Sequence, residues 1–438
     1  MSRSTYRDTL KWVQHRFGDA QWKVNAQKLL GANLLAQAIN LAFIPLLTRI
    51  YPPADYAVLA TLMAVAVIGS LVAALGFDYA IPIVEDDEEA ISLTQAAVYS
   101  ALGLTIPIGI AACFLDPELL SPVLGSQLAE WAPWVIGFII FAGSLSTTLE
   151  AFQIRHKRVG IVGWARVSQA CVGIGSQIGL GLAGFGALGL VIGYALFLVT
   201  PGIIHIVYLG LTRNLTLSRW SAVRSAASAH RKYLHYTAPE ALFNALSVYG
   251  PFMIISYFGS DPVITAHISL ALRLLQAPSF LVAKIGSQLV QGSVRDWQRA
   301  GSVAANSRKI CLGLSVLGVV GGVPVILLAP PLAGPILGPE WTGIGWVIAM
   351  LVPGVILHMI SFPLIPIAYL RGQNANMMLL TSTAAILRNG LCALALPSGG
   401  LAVAVAFSGG AVVQYAILTA YLFKLSRTIS KTDTQNAK

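Results

Sequence analysis

The chain has 438 residues, of which 56% are hydrophobic and only 11% are charged, and its formal net charge is +10. Because a water-soluble domain carries about 25% charged residues, this composition excludes an ordinary soluble protein and indicates an integral membrane protein. The four cysteines lie far apart in apolar stretches without a CxxC or Cys/His cluster, which argues against disulfides and against a metal site.

The N-terminal segment, residues 1–28, is basic and lacks a short apolar core followed by a small-residue cleavage site, so we expect no cleavable signal peptide. Tyr6, Leu10, Val13 and Phe17 recur at helical spacing, which predicts an amphipathic helix lying on the membrane surface. A disordered basic tail is the alternative interpretation.

Twelve membrane-spanning helices are predicted along the rest of the chain, since a membrane helix needs about 20 mostly apolar residues. They cover residues 29–48, 56–76, 91–114, 132–152, 160–183, 185–209, 238–258, 264–287, 310–329, 343–369, 376–396 and 399–423. The boundary between the fifth and sixth spans is the least defined, because Gly and Ala dominate there and no charge marks a turn. The predicted fold is therefore an all-α polytopic membrane protein.

The distribution of Lys and Arg predicts the orientation of these spans. With both termini placed in the cytoplasm, 23 of the 28 basic residues fall in cytoplasmic segments and one, Arg49, falls outside. The other four lie within spans. The positive charge is thus explained by topology, and nucleic-acid binding is disfavoured because the cations sit in short loops beside anionic lipid.

Two six-helix halves that enter the membrane in the same direction form a parallel repeat, as in some transporters. We predict an N-lobe at 29–211, a basic cytoplasmic linker at 212–237, a C-lobe at 238–424 and a cytoplasmic tail at 425–438. Polar stripes at the spacing i, i+4, i+7 mark the first span of each half, and they lie 207 residues apart: Asn33, Gln37 and Asn40, then Glu240, Asn244 and Ser247. We expect both stripes to face the cleft between the lobes; ordinary interhelical hydrogen bonding is the alternative.

Four basic residues lie inside predicted spans. Arg273 and Arg388 are near the bilayer midplane, where an arginine costs about 2.5–3.5 kcal/mol on insertion scales. Lys284 and Arg166 lie nearer the cytoplasmic side, where they could extend to the interface. Carboxylates are absent from the centre of the predicted membrane region, and the three that come closest, Asp78, Glu150 and Glu240, lie near the cytoplasmic ends of spans.

This imbalance predicts a net positive cavity, which suits an anion such as a diphosphate, because guanidinium binds it through paired hydrogen bonds. The candidate substrate-binding residues are Arg273, Arg388, Lys284, Arg166, Asn33, Gln37, Asn40, Asn244, Ser247 and Gln276. Asp78 and Glu240 are candidates for coupling to a proton or sodium gradient. We identify no catalytic constellation of serine, histidine and carboxylate, and we expect no cofactor.

Two short motifs receive structural interpretations. The acidic tract EDDEEA at 85–90 precedes the third span, and its carboxylates favour the positive end of a helix. GLGLAG at 179–184 matches GxGxxG, but no strand precedes it, so a dinucleotide site is not supported. We expect its small residues to let the fifth and sixth spans approach closely.

Several stretches resemble the polysaccharide flippases of the MOP superfamily, the Wzx-like O-antigen and exopolysaccharide transporters. They are LLTRIYPPADYAVLATLMAV at 46–65, AIPIVEDDEEA at 80–90, FQIRHKRVGIVGWARVSQA at 152–170, YFGSDPVITAHISLALRLLQAPSFL at 257–281 and GPILGPEWTGIGWVIAMLVPG at 334–354. Members often carry Arg-Tyr-Glu before the acidic tract, whereas this chain has Gly76-Phe77-Asp78, so a role tied to that arginine is in doubt.

The resemblance implies that the chain flips undecaprenyl-diphosphate-linked oligosaccharide across the bacterial inner membrane by alternating access. It also implies membrane lipids, a polysaccharide polymerase and glycosyltransferases as partners. A multidrug or cation extruder of the same superfamily is the main alternative, although it would favour a central carboxylate. A membrane-embedded glycan polymerase or ligase is a weaker alternative, because the longest outer loop, about 115–131, holds no histidine, lysine or arginine.

Overall fold

A computed structural model describes residues 20–114, 116, 118, 126–211, 217–259, 261 and 263–436, and within them the chain is helical without a β-strand. The helices are α1 Ala20–Ala42, α2 Ile44–Ile50, α3 Pro53–Ala73, α4 Phe77–Ala80, α5 Asp87–Cys113, α6 Ser126–Arg155, α7 Val159–Leu182, α8 Gly186–Leu211, α9 Trp220–Ala229, α10 Ala238–Phe258, α11 Val263–Arg299, α12 Val303–Leu337, α13 Ile344–Ser361, α14 Ile365–Leu370, α15 Asn374–Ala395 and α16 Gly400–Asn436. A π-helical turn, Tyr233–Thr237, leads into α10.

Eleven stretches of the described residues form helices long and apolar enough to cross a membrane. They are Gln27–Ile50, Pro53–Ala73, Asp87–Cys113, Trp134–Arg155, Gly186–Leu211, Tyr233–Phe258, Val263–Ser287, Val303–Leu337, Ile344–Tyr369, Ala375–Ser398 and Gly400–Thr428. Each corresponds to one of the twelve predicted spans. The bilayer core holds no water that could hydrogen-bond the backbone N–H and C=O groups. A helix pairs these groups within one segment, which is why the apolar segments are helical.

The predicted fifth span is also a helix, α7, but it is not among the eleven. Its sequence is interrupted by polar residues, among them Arg166, Gln169 and Gln177. Gln177 is buried, its carbonyl accepts a hydrogen bond of 2.6 Å from the Tyr51 hydroxyl, and its side-chain amide donates to the Leu190 carbonyl at 3.5 Å. Gln169 and Gln177 lie on the buried side of α7, and Arg166 is paired with Glu150, so these polar groups have protein partners or protein surroundings where lipid would offer none.

Glycines of α8 let it approach α7 closely. A Cβ atom at Gly189 would lie 3.1 Å from Leu180 Cβ, and one at Gly193 would overlap the Gln177 side chain. In the GLGLAG stretch itself, Gly181 packs on Tyr51, and a Cβ atom at Gly179 or Gly184 would meet no atom within 4 Å, so the close approach comes from the α8 glycines. The boundary between the predicted fifth and sixth spans lies at Gly184 and Gly186. Both glycines adopt left-handed conformations, which separate α7 from α8.

The bundle has two ends. We call the end with the turns 74–86, 156–158, 300–302 and 371–373 the basic face, and the end with the turns 51–52, 183–185, 338–343 and 399 the opposite face. The orientation of these faces relative to the cell stays a prediction. Residues 1–19 of the predicted surface helix and 212–216 of the linker lie outside the described residues.

The packing of the two lobes differs between these faces. At the opposite face, one hydrophobic core joins residues of both lobes, such as Leu47, Tyr56 and Leu62 with Ile268, Trp341 and Phe407. Towards the basic face each lobe has its own core: one around Ile81, Leu93 and Phe152, the other around Val290, Ile367 and Leu422. The lobes therefore share one core at the opposite face and have separate cores towards the basic face, where they still touch between Gly76 and residues 233–238. We call the interlobe region between the two separate cores the cleft.

The domain limits inferred from sequence stay predictions. The helices place α8 before the linker and α10 after it, close to the predicted limits of 211 and 238. The last helix, α16, runs to Asn436 and so includes most of the predicted tail.

Candidate functional site: the cleft between the lobes

Arg273 connects the two lobes at mid-depth in the bundle. It lies ten residues after the start of α11, or about 15 Å along the helix, and its Nη2 donates to Asn40 Oδ1 of α1 at 3.3 Å. It is half-buried and close enough to Tyr56 and Tyr194 to interact electrostatically with both. Among the described residues, no carboxylate lies within ion-pair distance of its guanidinium.

The polar stripe of α1 leads from this contact towards the basic face. Asn33, Gln37 and Asn40 share one side of the helix, and since Asn40 faces Arg273, the stripe is directed to the C-lobe. Gln37 is exposed and Asn33 is half-buried, so their amides remain accessible. Asn40 also donates to the Ala36 carbonyl at 2.9 Å, which fixes its amide for Arg273.

Lys284 approaches an ion pair of the N-lobe across the cleft. Arg166 binds Glu150 at 2.7 and 2.9 Å, joining α7 to α6. Lys284 of α11 is exposed and lies within electrostatic range of both residues. Arg166 is thus paired within its lobe, whereas no carboxylate among the described residues is within ion-pair distance of Lys284.

Asn244 and Ser247 of the second polar stripe lie in different environments. Asn244 of α10 is exposed. Gln276, which belongs to α11 and lies nearly one turn after Arg273, is half-buried. Ser247 is fully buried and donates to Gln414 Oε1 of α16 at 2.8 Å. The prediction that Ser247 lines the cleft is therefore wrong in this conformation, because its side of α10 packs inside the C-lobe.

Arg388 also lies inside the C-lobe and not at the cleft. Its side chain is 3% exposed, and its guanidinium carbon lies 3.8 Å from the centroid of the Phe407 ring. His358 of α13 and Tyr415 of α16 are its polar neighbours. Counting residues along a span predicts the depth of Arg388, but it cannot say which helices surround the side chain.

The opposite face is closed by a residue that the sequence analysis did not single out. Trp341 is fully buried between the lobes, and its Nε1 donates to the Thr48 carbonyl at 3.0 Å. Its ring packs edge-to-face on Tyr56 at 5.0 Å and lies 5.7 Å from His267. Trp341 ends the Gly-Pro-Glu-Trp segment at 338–341, within the stretch 334–354 that carries the family resemblance, and that resemblance was the available signal.

A hydroxyl chain reinforces this closure. Thr61 of α3 donates to Ser256 of α10 at 2.7 Å, and Ser256 in turn donates to Thr265 of α11 at 3.3 Å. Arg49 adds a contact of 3.4 Å to the Pro335 carbonyl. We call Trp341, Tyr56, Thr48, Thr61 and Ser256 the opposite-face seal.

Asp78 and Glu240, the candidates for ion coupling, lie in one region of the basic face. Tyr79 interacts electrostatically with both carboxylates, and Tyr369 donates to Glu240 at 2.5 Å. The lobes touch here, because a Cβ atom on Gly76 would lie 3.1 Å from the Tyr233 carbonyl. Asp78 Oδ1 is buried without a hydrogen-bond partner among the described residues, and burial raises the pKa of this carboxyl to about 6.

The acidic tract and the R-H-K-R segment bind each other within the N-lobe. Arg155, 4% exposed, donates to the carbonyl of Val84, to that of Glu85 at 2.8 Å and to Asp87 at 2.7 Å. Asp86 caps α5 by accepting from two backbone amides of its first turn. The tract is thus more than a solvated helix start.

The described residues contain no cluster of three or more His, Cys, Asp or Glu that could hold a metal ion. The chemistry available in the cleft is therefore that of cations and amides. Such groups bind anions and hydroxyl-rich molecules through hydrogen bonds.

Comparison with known proteins agrees with this architecture. The sequence matches the polysaccharide biosynthesis protein family over residues 46–345, whereas no curated protein matches it. Similar solved structures include the lipid II flippase MurJ in an inward closed conformation, with a TM-score of 0.68 and 12% identity over 94% of this chain and 90% of that one.

Two further solved structures share the fold. An inward-facing multidrug resistance MATE family transporter of the MOP superfamily has a TM-score of 0.61 and 14% identity over 92% of this chain and 96% of its own. A MOP superfamily transporter from Pyrococcus furiosus, described by the reverse polarity of its binding pocket, has a TM-score of 0.58 and 13% identity over 95% and 98%. The chain is a multi-pass membrane protein with the transporter fold shared by MATE proteins and MurJ, and it belongs to the polysaccharide biosynthesis protein family.

Proposed function

We propose that this protein flips undecaprenyl-diphosphate-linked oligosaccharide across the bacterial inner membrane, for surface polysaccharide biosynthesis. In this proposal the basic face is cytoplasmic, and the cleft receives the substrate headgroup from that side. The lipid tail stays in the bilayer.

The observation that carries the proposal is Arg273. A guanidinium at mid-depth, at the lobe interface and without a carboxylate partner among the described residues, is costly in a membrane protein unless it serves a function. A diphosphate would compensate this charge, because guanidinium and phosphate form short, charge-assisted hydrogen bonds.

Other groups complete a headgroup site along the same cleft. Lys284 would contribute a second unpaired cation, and Arg166 would contribute a third if Glu150 released it. Asn33, Gln37, Asn244 and Gln276 would hydrogen-bond the hydroxyls of the sugars. The combination of cations and amides along the cleft suits a substrate with an anionic linker and a neutral glycan.

Alternating access would follow from the two unequal ends of the bundle. With the opposite-face seal closed, the cleft admits substrate from the basic face. Breaking the contacts of Trp341 and Thr61 while the basic face closes would release the substrate on the other side.

The direct test is Arg273→Ala in purified protein reconstituted into vesicles that contain a fluorescent undecaprenyl-diphosphate oligosaccharide. Loss of hydrogen bonds to a charged group, worth about 1.5–3 kcal/mol, should lower the flipping rate roughly ten- to hundredfold. Arg371→Ala, which removes an exposed cation at the basic face, serves as the matched control and should flip at the wild-type rate.

In cells, Arg273→Ala should show normal membrane levels but lack surface glycan, whereas Arg371→Ala should restore it to a flippase-deficient strain. Flipping by Arg273→Ala at the wild-type rate would contradict the proposed site. Restored surface glycan in that variant would contradict the function of Arg273 in export.

Coupling to a proton gradient is a further part of the proposal. Asp78 has a pKa near 6 and lies with Tyr79, Glu240 and Tyr369 where the lobes meet at the basic face. Protonation of Asp78 would remove a buried charge from this contact and so favour its closure. Vesicle flux that is indifferent to pH and sodium gradients, in wild type and Asp78→Asn alike, would exclude this coupling.

A multidrug or cation extruder is the competing function, and its support is the fold shared with MATE transporters. Cationic drugs need an accessible carboxylate, whereas Glu150, the carboxylate next to the cleft cations, is already paired with Arg166. Drug efflux from cells that is lost in Glu150→Gln and retained in Arg273→Ala would favour this alternative. The structural relatives are transporters and flippases and not enzymes, which leaves a glycan polymerase or ligase without support from the fold.

A further inference from the structure

A buried positive charge inside the C-lobe is not explained by flipping. Arg388 is 3% exposed, and its Nε is buried without a hydrogen-bond partner among the described residues. Within that part of the chain, no carboxylate lies within ion-pair distance of its guanidinium. A charge buried in this way is strongly unfavourable unless another group compensates it.

The neighbours of Arg388 supply dipoles but no negative charge. Tyr415, His358 and Cys392 are close enough to the guanidinium to interact with it electrostatically. Gln414, the residue before Tyr415, accepts from Ser247. The Phe407 ring gives a cation–π contact, which offsets a part of the desolvation cost.

The packing defines which part of the guanidinium remains available. One of its flat faces is covered by the Phe407 ring at 3.8 Å. On the neighbouring turn of α16, Gly410 contacts the stem, since a Cβ atom there would lie 3.0 Å from Arg388 Cγ. The edge that bears the Nε hydrogen is left without a partner.

We propose that this edge binds a small monoatomic anion, chloride in the cell, inside the C-lobe. The anion accepts a hydrogen bond from Arg388 Nε and neutralises the guanidinium between α13, α15 and α16. A lipid diphosphate is too large for a position with so little solvent exposure, so this site is separate from the headgroup cleft at Arg273. The inference does not depend on the identity of the transported substrate.

Bromide, which scatters X-rays anomalously, tests the position directly in crystals of the wild-type protein grown or soaked in bromide. The expected result is an anomalous peak within hydrogen-bonding distance of Arg388 Nε. Peaks confined to the cleft near Arg273 or to the protein surface, with none beside Arg388, would overturn the proposal.

Thermal unfolding of the protein in detergent tests anion binding in solution. The melting temperature in chloride or bromide is compared with that in gluconate at equal ionic strength. An anion that binds only the folded protein raises the melting temperature progressively with concentration above its dissociation constant. The wild type and Arg273→Met should both show this halide dependence, whereas Arg388→Met should have lost it.

Tyr415→Phe is the second variant in case Arg388→Met does not fold. It removes one polar neighbour of the guanidinium, so the halide dependence should persist but shift to higher concentration. Halide-independent melting of the wild type would show that Phe407 and Tyr415 alone balance the charge. A dependence lost in Arg273→Met and kept in Arg388→Met would place the anion in the cleft.

Discussion

The two ends of this bundle bury similar kinds of residues but join the lobes very differently. At the opposite face a single core crosses from the N-lobe to the C-lobe, with Trp341 as its central wedge. At the basic face the cores are separate, and each is organised within its own lobe. Thus the same hydrophobic effect holds the lobes together at one end and leaves them independent at the other.

The sequence stretches that carry the family resemblance follow the same division between the two faces. Residues 46–65 meet residues 334–354 across the lobes, through Thr48 and Tyr56 with Trp341. Residues 80–90 meet residues 152–170 within the N-lobe, through Arg155. One pair of stretches therefore forms a contact between the lobes, which the proposed alternating access would break, and the other forms a contact within one lobe, which it would leave in place.

Trp341→Ala should have the largest effect, because it removes a fully buried aromatic side chain from the shared core. Truncations of this kind cost about 3–5 kcal/mol, so the melting temperature in detergent should fall sharply. Trp346→Ala is the matched control, since this tryptophan is 60% exposed, and its melting temperature should change little. Equal losses in both variants would contradict the wedge assignment.

Arg155→Met should destabilise the protein by about 2–3 kcal/mol, because charge-assisted hydrogen bonds to two carbonyls and Asp87 are lost. It should not loosen the lobes, since all these partners belong to the N-lobe. Labelling of a cysteine at Ser256 from the opposite face should therefore remain slow in Arg155→Met and become fast in Trp341→Ala. Lys157→Ala, which alters an exposed neighbouring cation, is the control.

Asp78 should make the stability depend on pH. Its pKa is raised from 3.8 to about 6, so its contribution is complete below pH 4 and is lost as the pH rises through 6. Two pKa units correspond to about 2–3 kcal/mol. The stability of wild type relative to Asp78→Asn, measured by thermal unfolding from pH 4 to 7, should fall over this interval. A constant difference would show that Asp78 titrates normally.

The hydrogen bond between Thr61 and Ser256 should give the smallest effect, about 1 kcal/mol. Thr61→Val, Ser256→Ala and the double variant form a double-mutant cycle, with the free energy of unfolding as the readout. Each single change should lower the free energy of unfolding by about this amount, and the double variant should lower it little further. Fully additive effects would mean that the two hydroxyls do not act together.

Hydropathy and helical spacing predict much of this fold, because the length of a membrane helix and the side that carries its polar residues can both be read from the sequence. They single out Asn40 and Arg273, which form a hydrogen bond between α1 and α11. They fail for Arg388 and Ser247, since spacing shows which residues share a side but not which helices that side meets. The position of Trp341 cannot be predicted from hydropathy or spacing for a related reason. It depends on a contact with Thr48, almost 300 residues away in the chain.

The unbroken length of α11 has a mechanical consequence. Its 37 residues from Val263 to Arg299, with Pro278 inside, form one continuous helix of about 55 Å, longer than the roughly 30 Å of hydrocarbon that it crosses. One end is anchored beside the wedge and the other projects past the lipid. Rotating this helix by about 10° about Val263 would move Arg299 by about 10 Å. A small rotation at one membrane surface therefore produces a large displacement at the other.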